Sequence, residues 1–181
     1  LLFIMDCSQI AGTVPIDMKN DDIDILCCAG HKGLLGPTGT GVLILNKDVQ
    51  LDSIIEGGTG SNSISPIQPD ILPDKFESGT PNVQGIIGLS CAIDFIKKTN
   101  IRKIYEHENS LLKYLYKNLK NDENIILYTD FFETRQHLAP ILSFNVKNMH
   151  SEDVAERLSN VGICVRAGLH CAPLAHKKFG T

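Results

Sequence analysis

The segment that most limits what this chain can fold into is the run from residue 23 to residue 43, IDILCCAGHKGLLGPTGTGVL. A β-branched apolar stretch enters a turn of small residues, passes His31 and Lys32, crosses a glycine-rich stretch and ends in a second apolar run. This reads as strand, turn, strand. A lysine at the end of a strand is aimed into a cleft and away from bulk water. Partial desolvation of that kind is what an amine needs in order to react as a neutral nucleophile. Gly36, Gly39 and Gly41 let the backbone bend tightly and pass close to a flat cofactor.

Two further apolar runs flank this unit. Leu1 to Asp6 is continuous and ends in an acid, the pattern of a strand in a buried parallel sheet. Residues 41 to 45 form a third strand. Residues 52 to 82 are rich in Gly, Ser, Pro and Asn and lack periodicity, so they read as a long, functional loop. Asp6 is the candidate functional acid, because α/β proteins place such groups at strand C-terminal ends.

Helical periodicity then takes over, at 83 to 98 through Ile86, Leu89, Ile93 and Ile96, and at 101 to 120 through Ile104, Leu111, Leu115 and Leu119. Strands are expected at 124 to 129, 139 to 146 and 162 to 166. A helix is expected at 151 to 160 with Ser151 as its N-cap. No helix is expected to close the chain at Phe179-Gly180-Thr181. The fold class is therefore α/β. Residues 1–90 are expected to belong to a large domain with a mainly parallel sheet, and residues 91–181 to form a smaller α+β domain. A chain that starts at Leu1, inside an apolar strand, is expected to be part of a longer protein.

Residues 166 to 173 read RAGLHCAP. Arg166 offers a planar fork suited to a carboxylate, and Cys171 offers a nucleophilic sulfur if its thiolate is stabilised and exposed. The two within one short turn suit an amino-acid substrate. Four of the six cysteines fall in apolar runs and are expected to be buried, free thiols. A metal site from His170, Cys171 and His176 fits no common zinc spacing.

The lysine run resembles the class V aminotransferase signature, and RAGLHCAP looks like the Arg-x-Gly-x-His-Cys-Ala loop of cysteine desulfurases of the selenocysteine-lyase-like branch. The resemblance implies a pyridoxal-phosphate (PLP) enzyme of fold type I. It implies that Lys32 forms an imine with PLP, that Asp6 holds the pyridine nitrogen protonated, and that Gln9 bonds the phenolic oxygen. It also implies that His31 contacts the phosphate. Thr59, in the Gly57-Gly58-Thr59-Gly60 loop, is implied to reach the cofactor phosphate of a second subunit. In the implied reaction Arg166 holds the carboxylate of L-cysteine while Cys171 takes its sulfur, leaving L-alanine. A homodimer, a sulfur-acceptor protein and a place in sulfur mobilisation for iron–sulfur assembly follow from the same resemblance.

The resemblance covers the whole chain but only the second half of such an enzyme. Ala29 stands where relatives often carry a phosphate-bonding Ser, so that contact is lost or supplied elsewhere. The missing half would hold the main phosphate-binding turn, so this chain alone is expected to bind PLP poorly. Selenocysteine cleavage, another class V reaction and an inactive scaffold piece remain open alternatives. The net charge of -4, with 17 basic and 21 acidic residues and no basic stripe, argues against nucleic acid. No apolar run approaches the ~20 residues of a membrane span. With no signal peptide and free thiols, a cytoplasmic setting is expected.

Overall fold

A computed structural model describes residues 1–128 and 139–181. The chain divides into two compact units, Leu1–His107 and Glu108–Thr181.

The first unit is built on a three-stranded sheet of β1 (Ile4–Asp6), β2 (Ile25–Ala29) and β3 (Gly41–Leu45), in that order. β1 and β2 are parallel, with Asp6 opposite Cys27. β3 returns antiparallel to β2, with Ala29 opposite Gly41. The connection from Gly30 to Thr40 contains no helix, and a crossover to a parallel strand would need one or a similar length of chain. The first strand is shorter than its apolar run: Leu1, Leu2 and Phe3 lie outside it and are exposed.

One sheet face is covered by the chain that joins β1 to β2. Cys7, Ala11, Ile23 and Leu26 form the buried cluster, with Met5, Ile10, Ile16, Met18, Cys28 and Leu34 packed on it. The long loop holds only a 3-10 turn, Asp74–Phe76. It is braced by Gln68, whose Oε1 accepts from Gly57 N at 3.2 Å and whose Nε2 donates to Asp74 O at 2.6 Å.

Helix α1 (Val83–Thr99) opens on Asn82, whose side chain accepts from Gly85 N at 3.0 Å. Its buried residues are Gly85, Leu89 and Ile96. A Cβ on Gly88 would meet Pro37, and one on Gly85 would meet Thr40, so two small residues let α1 lie against the glycine-rich connection. Helix α2 (Ile101–Leu119) follows at once, and the boundary between the units falls within it.

The second unit pairs β4 (Ile125–Leu127) antiparallel with β5 (Phe144–Val146), and α3 (Ser151–Asn160) packs on β5. Several expectations are corrected here. Of the strand expected at 139–146, only Phe144–Val146 forms, and residue 129 of the other lies outside the described residues. Residues 162–166 are not a strand; a strand needs a partner, and this stretch has none among the described residues. His150, not Ser151, is the N-cap of α3. The Ser151 hydroxyl is engaged instead by Glu152 Oε2 at 3.0 Å and Gly168 N at 3.4 Å. A closing helix does exist: α4 (Pro173–Phe179) has Pro at its first turn and a left-handed Gly180 after it. Among the described residues no helix is long and apolar enough to cross a membrane.

Candidate functional site

In the first unit, the ends of β1 and β2 lead into two turns that touch backbone to backbone. A Cβ on Gly12 would lie 2.0 Å from Gly33 O, and one on Gly33 would lie 2.4 Å from Ala11 O. This contact brings the turn after Asp6 against the turn that carries Lys32. The lysine turn is itself closed by Gly36 N donating to Gly30 O at 2.7 Å and Leu35 N donating to Lys32 O at 2.8 Å. Gly30 N in turn donates to Thr40 O at 2.9 Å.

Asp6 Oδ1 accepts from Ser8 N at 2.9 Å. Hydrogen bonds from the Ser8 side chain and then its backbone hold the Asp6 carboxyl below its ordinary range against desolvation, and the Lys32 charge adds a smaller lowering. Asp6 is thus kept as an anion with a cation in electrostatic reach. Lys32 is half-buried, whereas Gln9 and His31 on the same two turns are exposed. Thr59 is half-buried in the long loop, where its hydroxyl shares a 2.8 Å hydrogen bond with Ser61. Among the described residues no hydrogen bond links Thr59 to Asp6, Gln9, His31 or Lys32.

An open cleft of about 650 Å³ lies over the sheet. Ser8, Cys27, Leu43, Leu72, Phe76 and Glu77 are among the residues that line it, and none of the site residues expected from the sequence does. Neither Ser8 nor the Gly12–Gly33 contact carried a signal in the sequence. Ser8 is one of many serines, and the contact joins two turns that lie far apart in the chain.

The second unit holds the other candidate group. Arg166 Nη2 donates to Cys171 Sγ at 3.5 Å, and both residues are exposed. Cys171 and His170 both have left-handed backbone, at φ 60° and 52°. That geometry turns the chain back so that two side chains five residues apart can meet. Gly168, at φ 86°, makes the preceding bend and anchors it to Ser151. All six cysteines are free. Cys7 is buried, Cys27 and Cys28 are half-buried, and Cys91, Cys164 and Cys171 are exposed, so the burial expected of cysteines in apolar runs is not met at Cys91 and Cys164. Burial pushes the Cys7 and Cys28 thiols up, with neighbouring thiols adding to the shift.

The aminotransferase class-V family model matches residues 1–181. The chain belongs to the class-V aminotransferase family. Its relatives in that family include the probable cysteine desulfurase of Methanothermobacter thermautotrophicus, 38% identical over 97% of this chain and 44% of the relative. The probable cysteine desulfurase of Pyrococcus abyssi is 39% identical over 94% of this chain and 43% of the relative. Among solved structures, the cysteine desulfurase CsdA of Escherichia coli, in an S-sulfonic acid form, superposes with a TM-score of 0.87 at 29% identity. It covers 100% of this chain and 45% of its own. The apo cysteine desulfurase of Thermococcus onnurineus NA1 gives 0.80 at 32% identity, covering 99% of this chain and 45% of its own. The class-V chain thus spans less than half the length of the relatives it matches, and its two units share their fold with those enzymes.

Proposed function

We propose that this chain supplies the lysine and the sulfur-accepting cysteine of a PLP-dependent cysteine desulfurase. The observation that carries the reading is the Arg166–Cys171 contact at 3.5 Å on a turn that presents the sulfur to solvent. A thiolate is the nucleophilic form of cysteine, and the Arg166 guanidinium places a donor and a positive charge beside the sulfur.

The first unit fits the cofactor. Asp6 is held as an anion, as the ring nitrogen of PLP requires, and Lys32 lies in electrostatic reach of it. Asp6 would meet the ring nitrogen, Gln9 the phenolic oxygen and His31 the phosphate. Lys32 would bind the aldehyde carbon, and Thr59 would serve the phosphate of a second copy. Bound there, PLP supplies an electron sink for charge developing on the substrate α-carbon.

The chain's own residues do the rest. Lys32 Nζ takes the Cα proton of L-cysteine. Arg166 keeps further N–H donors for the substrate carboxylate after one is spent on Cys171. Cys171 Sγ attacks the substrate sulfur, and the Cβ–S bond breaks with its electron pair left on carbon. Protonation of that carbon, with a proton returned to Cα by Lys32 Nζ, gives L-alanine, and Cys171 keeps the sulfur as a persulfide for an acceptor protein. The outward Ile54, Ile55, Ile64 and Ile67 of the long loop support a homodimer, because apolar side chains clustered on one exposed loop favour an interface. A cytoplasmic place in sulfur mobilisation belongs to the same reading.

The test is Cys171→Ala in the complete gene product. Sulfur transfer should be lost while the cofactor absorbance stays. Unchanged alanine release from cysteine in that variant would refute the role of Cys171.

A further inference from the structure

His170 carries no part of the chemistry proposed above, yet its side chain ties the cysteine turn, which Ala172 N closes by donating to Leu169 O at 2.8 Å, back to Arg166. Its Nε2 lies 3.1 Å from the Arg166 carbonyl oxygen. A carbonyl only accepts, so Nε2 must carry the hydrogen, and both the neutral Nε2–H tautomer and the imidazolium supply it. The ring is also held from the other side. It meets His176 edge to face at 5.9 Å, and His176 Nδ1 is bonded to Thr181 Oγ1 at 2.9 Å. His170 and Cys171 are consecutive non-glycine residues with left-handed backbone, at φ 52° and 60°. L side chains adopt that conformation at a cost, and it persists where surrounding contacts over-determine it. The Nε2–H bond to residue 166 is such a contact. It ties the backbone of Arg166 to the residue next to Cys171, and the Arg166 guanidinium then rests on the Cys171 sulfur at 3.5 Å.

We propose that His170 is a positioning residue for Cys171: its bond to the Arg166 carbonyl ties the Arg166 backbone to the left-handed turn and so keeps the Arg166 guanidinium beside the nucleophilic sulfur. The role rests on the reading of Cys171 as the sulfur acceptor. It gives that reading a specificity, because a sulfur with a fixed cation beside it favours electrophiles that carry negative charge.

The full chain can be tested by alkylation with two reagents of like size and chemistry, anionic iodoacetate and neutral iodoacetamide. In each case the sulfur displaces iodide, and peptide mapping gives a rate for each cysteine. Exposed Cys91 and Cys164 serve as references within the same molecule. The iodoacetate-to-iodoacetamide ratio at Cys171 should exceed theirs by about fivefold at low salt, the order of effect that one adjacent charge exerts in water, and should fall as salt rises. His170→Ala and His170→Phe should bring the ratio down to the reference level. Phe keeps the ring against His176 but has no N–H, so it serves alone if the alanine variant does not fold. His170→Gln places an amide N–H near the position of Nε2 and should restore the ratio. A change in the exposure of the sulfur alone would change both rates together and leave the ratio where it was. An unchanged ratio in His170→Phe overturns the proposal, as does loss of the ratio in a folded His170→Gln or a parent ratio no higher than the references. Neither PLP nor turnover enters this measurement, so its failure leaves the desulfurase reading standing, and an inactive enzyme leaves this inference standing.

Discussion

The carbonyl oxygen of Gly33 occupies the place that a Cβ on Gly12 would need, 2.0 Å away, and Gly12 is itself at φ +88°. Two turns from different parts of the chain meet there with no side chain between them. One follows Asp6 and the other carries Lys32, so the contact holds together the two turns that carry the anion and the amine.

Gly12→Ala is therefore expected to destabilise the first unit by about 2–4 kcal/mol, combining left-handed strain with displacement of a backbone that has nowhere to yield. Gly58→Ala is the control, because a Cβ there meets nothing within 4 Å. Urea denaturation of both variants checks the claim. An alanine at position 12 that costs no more than one at position 58 would show that the turns separate freely.

Asp6 gives a pH prediction. Its carboxyl is held low first by the Ser8 side chain, then by the Ser8 backbone N–H, with the Lys32 charge a smaller contribution. A carboxyl lowered on folding stabilises the folded state above its unfolded value of about 3.9, and this is lost as pH falls through the lowered folded value. Because the carboxyl is exposed, the gain is small and the titration itself is the better readout. Ser8→Ala should move the Asp6 carboxyl titration, followed by carbon NMR, to higher pH. Lys32→Ala should move it in the same direction by less. A larger shift from Lys32→Ala would reverse the order of causes.

What the sequence disclosed follows the range of the interactions involved. The strands around Lys32 and the helices at 83–99 and 101–119 rest on local apolar patterns, and they form where those patterns lie. Residues 162–166 have a strand-like composition, but pairing is non-local and among the described residues no neighbouring strand receives them. Ser151 has the chemistry of an N-cap, and its hydroxyl is instead engaged in part by Gly168, seventeen residues away. Helix α4 is bracketed by Pro173 and Gly180, but seven residues are too few to establish a period. At the site, the residue types in RAGLHCAP were legible. The arginine-to-sulfur bond was not, because it depends on two left-handed residues that composition does not announce.

Five of the six thiols, all but half-buried Cys27, should separate by reactivity. Cys7 is fully buried, and burial raises both its thiol and that of half-buried Cys28. A raised thiol is less ionised at neutral pH, and the thiolate is the reacting form. In the folded chain at neutral pH, iodoacetamide should label Cys91, Cys164 and Cys171 first and Cys28 and Cys7 last, with the late sites gaining most as pH rises. A mass-spectrometric time course reads the order directly. Early labelling of Cys7 would mean that the cluster of Cys7, Ala11, Ile23 and Leu26 opens readily.

Lys32 is the final case, because exposed lysines also react with PLP and selectivity must come from something besides the amine. Lys32 is half-buried and within electrostatic reach of the Asp6 anion, whereas Lys19 and Lys47 are exposed. A carboxylate facing the pyridine nitrogen offers a charge-assisted hydrogen bond worth about 1.5–3 kcal/mol, roughly tenfold or more in occupancy. Weak overall affinity is compatible with that preference, since affinity sums every contact and selectivity compares two sites. Borohydride reduction in excess PLP should therefore place the pyridoxyl mass on Lys32 well ahead of Lys19 and Lys47. Asp6→Asn should lower the Lys32 label toward theirs, because the amide cannot hold the ring nitrogen protonated. Even labelling of all three lysines in the parent chain would mean that Asp6 and Lys32 do not form a cofactor site in this chain.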